Sequence, residues 1–167
     1  MNYHNITHCD MLNGPGLRTV LWVSGCSHQC KGCHNPETWS VHSGIPFDEE
    51  AKKELLDSLE DKYIRGVTFS GGDPLHEANR EEVLMLAMEI KTCFPKKDII
   101  LYTGYRWDDI SQLDGIVNVD FVVDGRYVED QKDVEGLFHW RGSYNQRIVD
   151  VRASLKEGRT VICEDFS

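Results

Sequence analysis

The sequence predicts an α/β fold with a mostly parallel sheet, and two observations predict it. Apolar runs of strand length alternate with segments of helical periodicity, and a glycine-bearing turn stands beside the apolar runs throughout. In such sheets ligands bind at the carboxyl ends of the strands, so turns at those ends are expected to share one rim.

Leu17–Val23 is mostly apolar and β-branched, follows the turn Asn13-Gly14-Pro15-Gly16, and reads as a buried strand. A loop, about 24–46, comes next. Asp48 reads as a helix N-cap, with Glu49 and Glu50 in the first turn where negative charge suits the dipole. Ala51, Leu55, Leu56 and Leu59 form its apolar stripe. A short strand, Val67-Thr68-Phe69, leads into Ser70-Gly71-Gly72-Asp73-Pro74. A second helix is expected from about Ala78 to Phe94, with Val83, Ala87, Ile90 and Phe94 on one face and Pro95 ending it. Ile99–Tyr102 is a third strand, ending in Thr103-Gly104-Tyr105. A short helix, Trp107 to Leu113, and a fourth strand, Val119–Val123, follow, the latter ending in Asp124-Gly125-Arg126. Ile148–Val151 and Thr160–Cys163 are expected either as a terminal hairpin or as a mobile tail. One domain over 1–167 is expected, with 151–167 as that hairpin or tail.

With 167 residues, 40% hydrophobic and 28% charged, the chain has ordinary globular composition. The formal net charge of −10 argues against a nucleic-acid-binding surface, which needs a basic footprint. No apolar run is long enough for a membrane span, and Met1-Asn2-Tyr3-His4-Asn5 does not open a signal peptide. Six cysteines without a secretion signal fit a reducing cytoplasm, so a cytoplasmic protein is expected. No P-loop, Rossmann fingerprint or Ser–His–Asp pattern is recognisable.

The informative stretch is Ser24-Gly25-Cys26-Ser27-His28-Gln29-Cys30-Lys31-Gly32-Cys33-His34-Asn35. It spaces Cys26, Cys30 and Cys33 as C-x3-C-x2-C on one short loop. A closed iron–sulfur site takes four thiolates, so three leave one corner of a 4Fe–4S cubane open, and an open position distinguishes a catalytic metal site from a structural one. The alternatives are zinc, with His28, His34 or His42 as fourth ligand, and ordinary buried or disulfide cysteines. Structural zinc sites combine two separated ligand pairs, and no second pair follows. Cys9, Cys93 and Cys163 are isolated, with Cys93 expected as a buried, inert thiol on a helix. His4, His8, His42, His76 and His139 show no ligand spacing.

Each remaining motif has two readings. Gly71 and Gly72 let a ligand approach bare backbone, with Asp73 receiving an ammonium group; alternatively Asp73 is a helix N-cap and Pro74 the first helical residue. Thr103-Gly104-Tyr105 is a rim turn or a tight turn with an exposed tyrosine. Asp124-Gly125-Arg126 is a rim element or a type I′ hairpin turn. Trp140 and Arg141 are an exposed docking anchor or a cation–π surface pair.

C-x3-C-x2-C resembles the cluster motif of the radical S-adenosylmethionine (radical SAM) enzymes, and Ser70-Gly71-Gly72-Asp73-Pro74 resembles their glycine-rich motif, where Glu often stands in place of Asp73. More narrowly, Asn13–Gly16, Cys33-His34-Asn35-Pro36-Glu37-Thr38-Trp39, Ser70–Leu75, Tyr102–Tyr105, Val123–Arg126 and Trp140–Arg147 resemble the anaerobic ribonucleoside-triphosphate reductase activating proteins. These are glycyl-radical activating enzymes of the same superfamily. The resemblance covers about residues 3–150 and departs from the family at His34, where tyrosine is usual.

The resemblance implies a partial (β/α) barrel of radical SAM type. It implies cluster ligation by Cys26, Cys30 and Cys33, and a SAM site of Gly32, Cys33, His34, Gly71, Gly72 and Asp73. His34 would stack on adenine, the glycines would cradle the methionine end, and no acid–base side chain is assigned. The implied activity is reductive cleavage of S-adenosylmethionine and generation of a glycyl radical on the large subunit of an anaerobic ribonucleotide reductase. A low-potential electron donor such as a flavodoxin is implied, with assembly as a homodimer or as a heterotetramer with the reductase. Other readings of the same motifs are a pyruvate formate-lyase type activase, a small-molecule radical SAM enzyme such as a deazaguanine synthase, and a non-catalytic electron carrier.

Overall fold

The computed structural model of the chain describes residues 1–134 and 140–163. His139 and the end of the expected tail, 164–167, lie outside them. Seven strands form one sheet: β1 (Asn2–Asp10), β2 (Leu17–Val23), β3 (Ile45–Pro46), β4 (Ile64–Gly71), β5 (Asp98–Thr103), β6 (Phe121–Asp124) and β7 (Arg147–Asp150). Their order is β3-β1-β2-β4-β5-β6-β7. The central run β2-β4-β5-β6 is parallel, while β1, β3 and β7 join antiparallel at the two sides. β3 and β7 do not pair, so the sheet is open.

The parallel strands are buried on both faces, which explains why apolar residues follow one another in them without alternation. Val20, Leu21, Val23, Val67, Phe69, Ile99, Leu101, Val122 and Val123 are buried. α1 (Glu49–Ser58) starts where the sequence places it: the Asp48 carboxylate accepts from the N–H groups of Glu50 and Ala51. α2 (Arg80–Cys93) buries Val83, Leu84, Leu86, Ala87 and Ile90, but Cys93, expected to be buried, closes the helix on its exposed side. Each such aliphatic side chain contributes about 1.5–3 kcal/mol of transfer free energy, so the helix is held by this stripe and not by its caps. α3 (Trp107–Ile110) is a single short turn.

The chain end differs from expectation. β7 pairs with β6, but α4 (Val151–Glu157) follows it directly in place of a hairpin turn. Asp150 accepts from the N–H of Ala153, and Gly158 closes the helix in the left-handed conformation (φ 65°), so both ends of this short helix are punctuated. Ile162 then returns to bridge Val149. β1 was not legible in the sequence, because bulges between Tyr3 and Asn5 and between Thr7 and Asp10 break the alternation that marks a strand. Among the described residues, no helix is long and apolar enough to cross a membrane.

Candidate functional site

Each of the four parallel strands ends in one of the turns singled out in the sequence, and their loops meet. A cavity of about 340 Å³ opens there. Its wall includes Cys26, Cys30, Cys33 and His34 after β2, Ser70–Asp73 at the end of β4, Thr103 and Gly104 at the end of β5, and Gly125–Tyr127 after β6. A second groove, about 400 Å³, lies between α1 and α2, but carboxylates and exposed Met85 line it and it holds no thiol. The first is the candidate site because it gathers the residues with metal chemistry.

The cysteine loop is pinned at its base by backbone bonds. Gly25 N–H donates to Thr38 O (2.7 Å) and Cys26 N–H to Trp39 O (2.9 Å). The 3-10 turn Pro36–Thr38 supplies the first of these acceptors. Burial pushes the Cys26 and Cys30 thiols up, and backbone N–H groups of His28 and Gln29 on Cys26, and of Tyr127 on Cys30, oppose the shift. The N–H of Asn35 donates to Cys33 Sγ (3.4 Å). Backbone N–H groups thus stand beside all three sulfurs, the kind of outer contact that orients a sulfur toward a metal. Among the described residues, no three His, Cys, Asp or Glu side chains converge on a single-ion site. Zinc ligands must close to within about 2.3 Å of one ion, so thiols spread around a cavity suit a larger inorganic body better. These residues fit a 4Fe–4S cluster.

Gly71 and Gly72 line the cavity, but their missing side chains serve the protein's own backbone. At Gly71 (φ 101°) a Cβ would lie 2.6 Å from Val23 O and 2.7 Å from Val23 N; at Gly72 it would lie 2.6 Å from Gly25 O. The glycine pair therefore lets β4 and its loop press against β2 and the cysteine loop, sealed by Gly72 N–H to Val23 O and Asp73 N–H to Gly25 O, both 2.7 Å. Sequence reasoning had given that space to the ligand alone.

Asp73 is not a helix N-cap, since α2 begins at Arg80. It is buried, and its carboxylate accepts from Leu75 N–H (2.9 Å), Thr103 Oγ1 (2.9 Å), Gly104 N–H (3.0 Å) and the His28 ring (2.8 Å). Asn79, buried and unremarked in the sequence, donates to Ser24 O (2.7 Å) and Asp73 O (3.1 Å), tying the two loops again. Tyr105 is half-buried, its ring 4.7 Å from that of His28.

Gly32 does not line the cavity; Glu129 Oε2 occupies the position a Cβ would take, at 1.7 Å. His34 is exposed and lies 5.1 Å from the Tyr127 ring, tilted against it. Tyr127 itself was missed. Its phenol donates to Glu129 (2.7 Å), and burial first, then that bond, push it up to about 12.

Asp124-Gly125-Arg126 is not a hairpin turn, because β7 lies more than twenty residues on. Buried Asp124 accepts from Trp107 N–H (2.8 Å) and Arg147 Nε (3.0 Å). Trp140 and Arg141 are half-buried and line the cavity, so they are wall residues and not an exposed anchor. Gln146 explains the rest of that motif: its amide accepts from Gly142 N–H (2.8 Å) and donates to Gly125 O (2.8 Å), folding 142–146 against the end of β6.

The 4Fe-4S single cluster domain family matches residues 12–149. The chain is similar to an anaerobic ribonucleoside-triphosphate reductase-activating protein of Enterobacteria phage T4, with 47% identity over 89% of this chain and 93% of that one. It is similar to proteins of the same description from Vibrio cholerae, 47% identical over 89% and 97% of the two chains, and from Escherichia coli K12, 42% identical over 91% and 100%.

Proposed function

We propose that this chain, which belongs to the family of anaerobic ribonucleoside-triphosphate reductase-activating proteins, activates such a reductase by radical SAM chemistry. The observation that carries the reading is the sharing of one cavity by Cys26, Cys30 and Cys33 and the Gly71–Asp73 loop, with none of Cys9, Cys93 or Cys163 in its wall. Three thiols without a fourth leave a coordination position for a cofactor.

Cys26, Cys30 and Cys33 would hold the cluster. When bound, it supplies one electron to the sulfonium of S-adenosylmethionine, which yields methionine and a 5′-deoxyadenosyl radical that takes a hydrogen atom from a glycine Cα of the partner. The chain's own residues bind and orient. Carbonyls and amides of the Gly71–Gly72 shelf face the methionine end, and His34 with Tyr127 offers ring faces to adenine. Asp73, with its carboxylate engaged by four donors, orders the shelf from below, a role different from direct ammonium binding. Gly32 contributes to the turn of the cysteine loop and not to the cofactor wall.

The fold reads as a partial (β/α) barrel of radical SAM type, supported by the parallel run β2-β4-β5-β6 and the cavity at its carboxyl end. One cytoplasmic domain, a low-potential donor such as a flavodoxin, and a homodimer or heterotetramer complete the proposal. The test is anaerobic mixing of the reconstituted, reduced protein with S-adenosylmethionine and an anaerobic ribonucleotide reductase large subunit. A doublet radical signal is expected, with 5′-deoxyadenosine and methionine as products, and none with a partner whose radical-site glycine is alanine. Cofactor cleavage without a doublet on the intact partner would point instead to a small-molecule substrate.

A further inference from the structure

Loops after β2, β4 and β5 meet in the cavity wall, and one side chain of the first touches the other two. His28 belongs to the spacer between Cys26 and Cys30. Its neighbours Ser27 and Gln29 are exposed, yet its own side chain is only 6% exposed. Nε2 lies 2.8 Å from Asp73 Oδ2, in the loop after β4. The ring packs edge-on to Tyr105 and directly over Gly104, in the loop after β5; a Cβ at Gly104 would lie 2.3 Å from Cδ2. Gly104 is therefore glycine because the imidazole occupies its side-chain space.

Packing alone does not explain a histidine here. Nδ1 is buried with no hydrogen-bond partner in the protein, an expense that a phenylalanine of similar shape would avoid. What a phenylalanine lacks is the bond to Asp73. That carboxylate is also held by Thr103 and Gly104, so one bond fastens the cysteine loop to a rigid centre. The backbone ties of the cysteine loop lie at its base, before Cys26 and at Cys26 itself; farther out, where Tyr127 meets Cys30 and His34, His28 adds the side-chain tie to the loop after β4.

We propose that His28 is a positioning residue: it clamps the cysteine loop to the Gly71–Asp73 shelf and so sets the spacing between iron held by the thiols and a cofactor resting on the shelf. The proposal rests on the radical SAM reading. The consequence is specific. Without the clamp the thiols still collect iron and sulfide, but S-adenosylmethionine on the shelf no longer meets the open iron in register.

The test uses the full chain, reconstituted anaerobically, as wild type, His28→Phe, His28→Gln and Gly104→Ala. Iron and sulfide content are measured, and the electron paramagnetic resonance of the reduced cluster is titrated with S-adenosylmethionine. His28→Phe and Gly104→Ala should carry full iron but need at least about tenfold more S-adenosylmethionine for the spectral change, the usual worth of a hydrogen bond to a charged group. His28→Gln, whose amide reaches the Nε2 position, should fall within about threefold of wild type. A folded His28→Phe that titrates like wild type overturns the proposal. So does one that loses its iron, which would make His28 a cluster-assembly residue, and so does equal weakening in Phe and Gln. If His28→Phe does not fold, Gly104→Ala decides by the same criteria. A wild-type spectrum indifferent to S-adenosylmethionine overturns the radical SAM reading and the proposal with it, an outcome visible before any variant is made.

Discussion

Replacing Gly71 by alanine should unfold the protein more easily before it affects any ligand. Gly71 has φ 101°, where an L side chain costs roughly 1–2 kcal/mol. Its Cβ would also sit 2.6–2.8 Å from Val23 O, Val23 N and Trp22 C. All three are backbone atoms of β2, so no flexible side chain can swing away. Relief requires β4 to part from β2 at the Val23–Gly71 pair, weakening the bond from Gly72 N–H to Val23 O, worth about 1 kcal/mol. Strain and lost pairing together come to about 3 kcal/mol, or a Tm lower by about 6–12 °C for a chain of this size. Gly158→Ala is the control. It also carries a positive φ, 65°, but has nothing within 4 Å of its Cβ position. Strain alone, about 1 kcal/mol, should lower its Tm by about 2–4 °C. The assay is thermal unfolding of the iron-free proteins by circular dichroism. Equal shifts in the two variants, or a wild-type Tm for Gly71→Ala, would refute the packing argument and restore the view that Gly71 is bare only for a ligand.

Two further outcomes are expected. Changing Cys26, Cys30 or Cys33 to alanine should abolish the visible 4Fe–4S absorbance after reconstitution, while Cys9→Ser, Cys93→Ser and Cys163→Ser keep it; loss of the absorbance in a Cys163 variant with retention in a Cys26 variant would reverse the assignment. Asn79→Ala strips the donor from the Ser24 and Asp73 carbonyls, for a loss of about 2 kcal/mol and a Tm drop of about 4–8 °C, and Asn79→Asp should not rescue it because its oxygens would face those carbonyls.

What could be read in the sequence was local. β2 appeared with its bounds because Leu17–Val23 is mostly apolar and β-branched and follows the Gly14–Gly16 turn, even with Arg18 and Thr19 inside it, and α1 because Asp48 announces it. The gathering of Cys26, Cys30 and Cys33 in one cavity wall was legible because they lie on one loop, where spacing along the chain is spacing in space. The connections among loops were not. His28 and Asp73 are 45 residues apart, and nothing in either neighbourhood marks the other as its partner. Asn79 drew no notice within the expected second helix, yet it stands just before α2, its side chain makes no cap, and it reaches back to the cysteine loop. Gly71 stood out in the sequence, but what presses against it there, the backbone of β2, did not, since a glycine reports close approach without saying what approaches. β1 stayed hidden because two bulges shift its inward positions out of period.

The parallel order of the strands has a consequence for how the protein is made. Translation delivers the cysteine loop early, with β2, but the groups that close around it arrive late: Asp73 after β4, Thr103 and Gly104 after β5, and Gln146, which holds Gly125, only near the end of the chain. A nascent chain paused after β2 presents three thiols with no wall to enclose what they capture. Synthesis at roughly 5–20 residues per second leaves them in that state for many seconds. A cluster held by these thiols would therefore be walled in only once the chain has been made through Gln146.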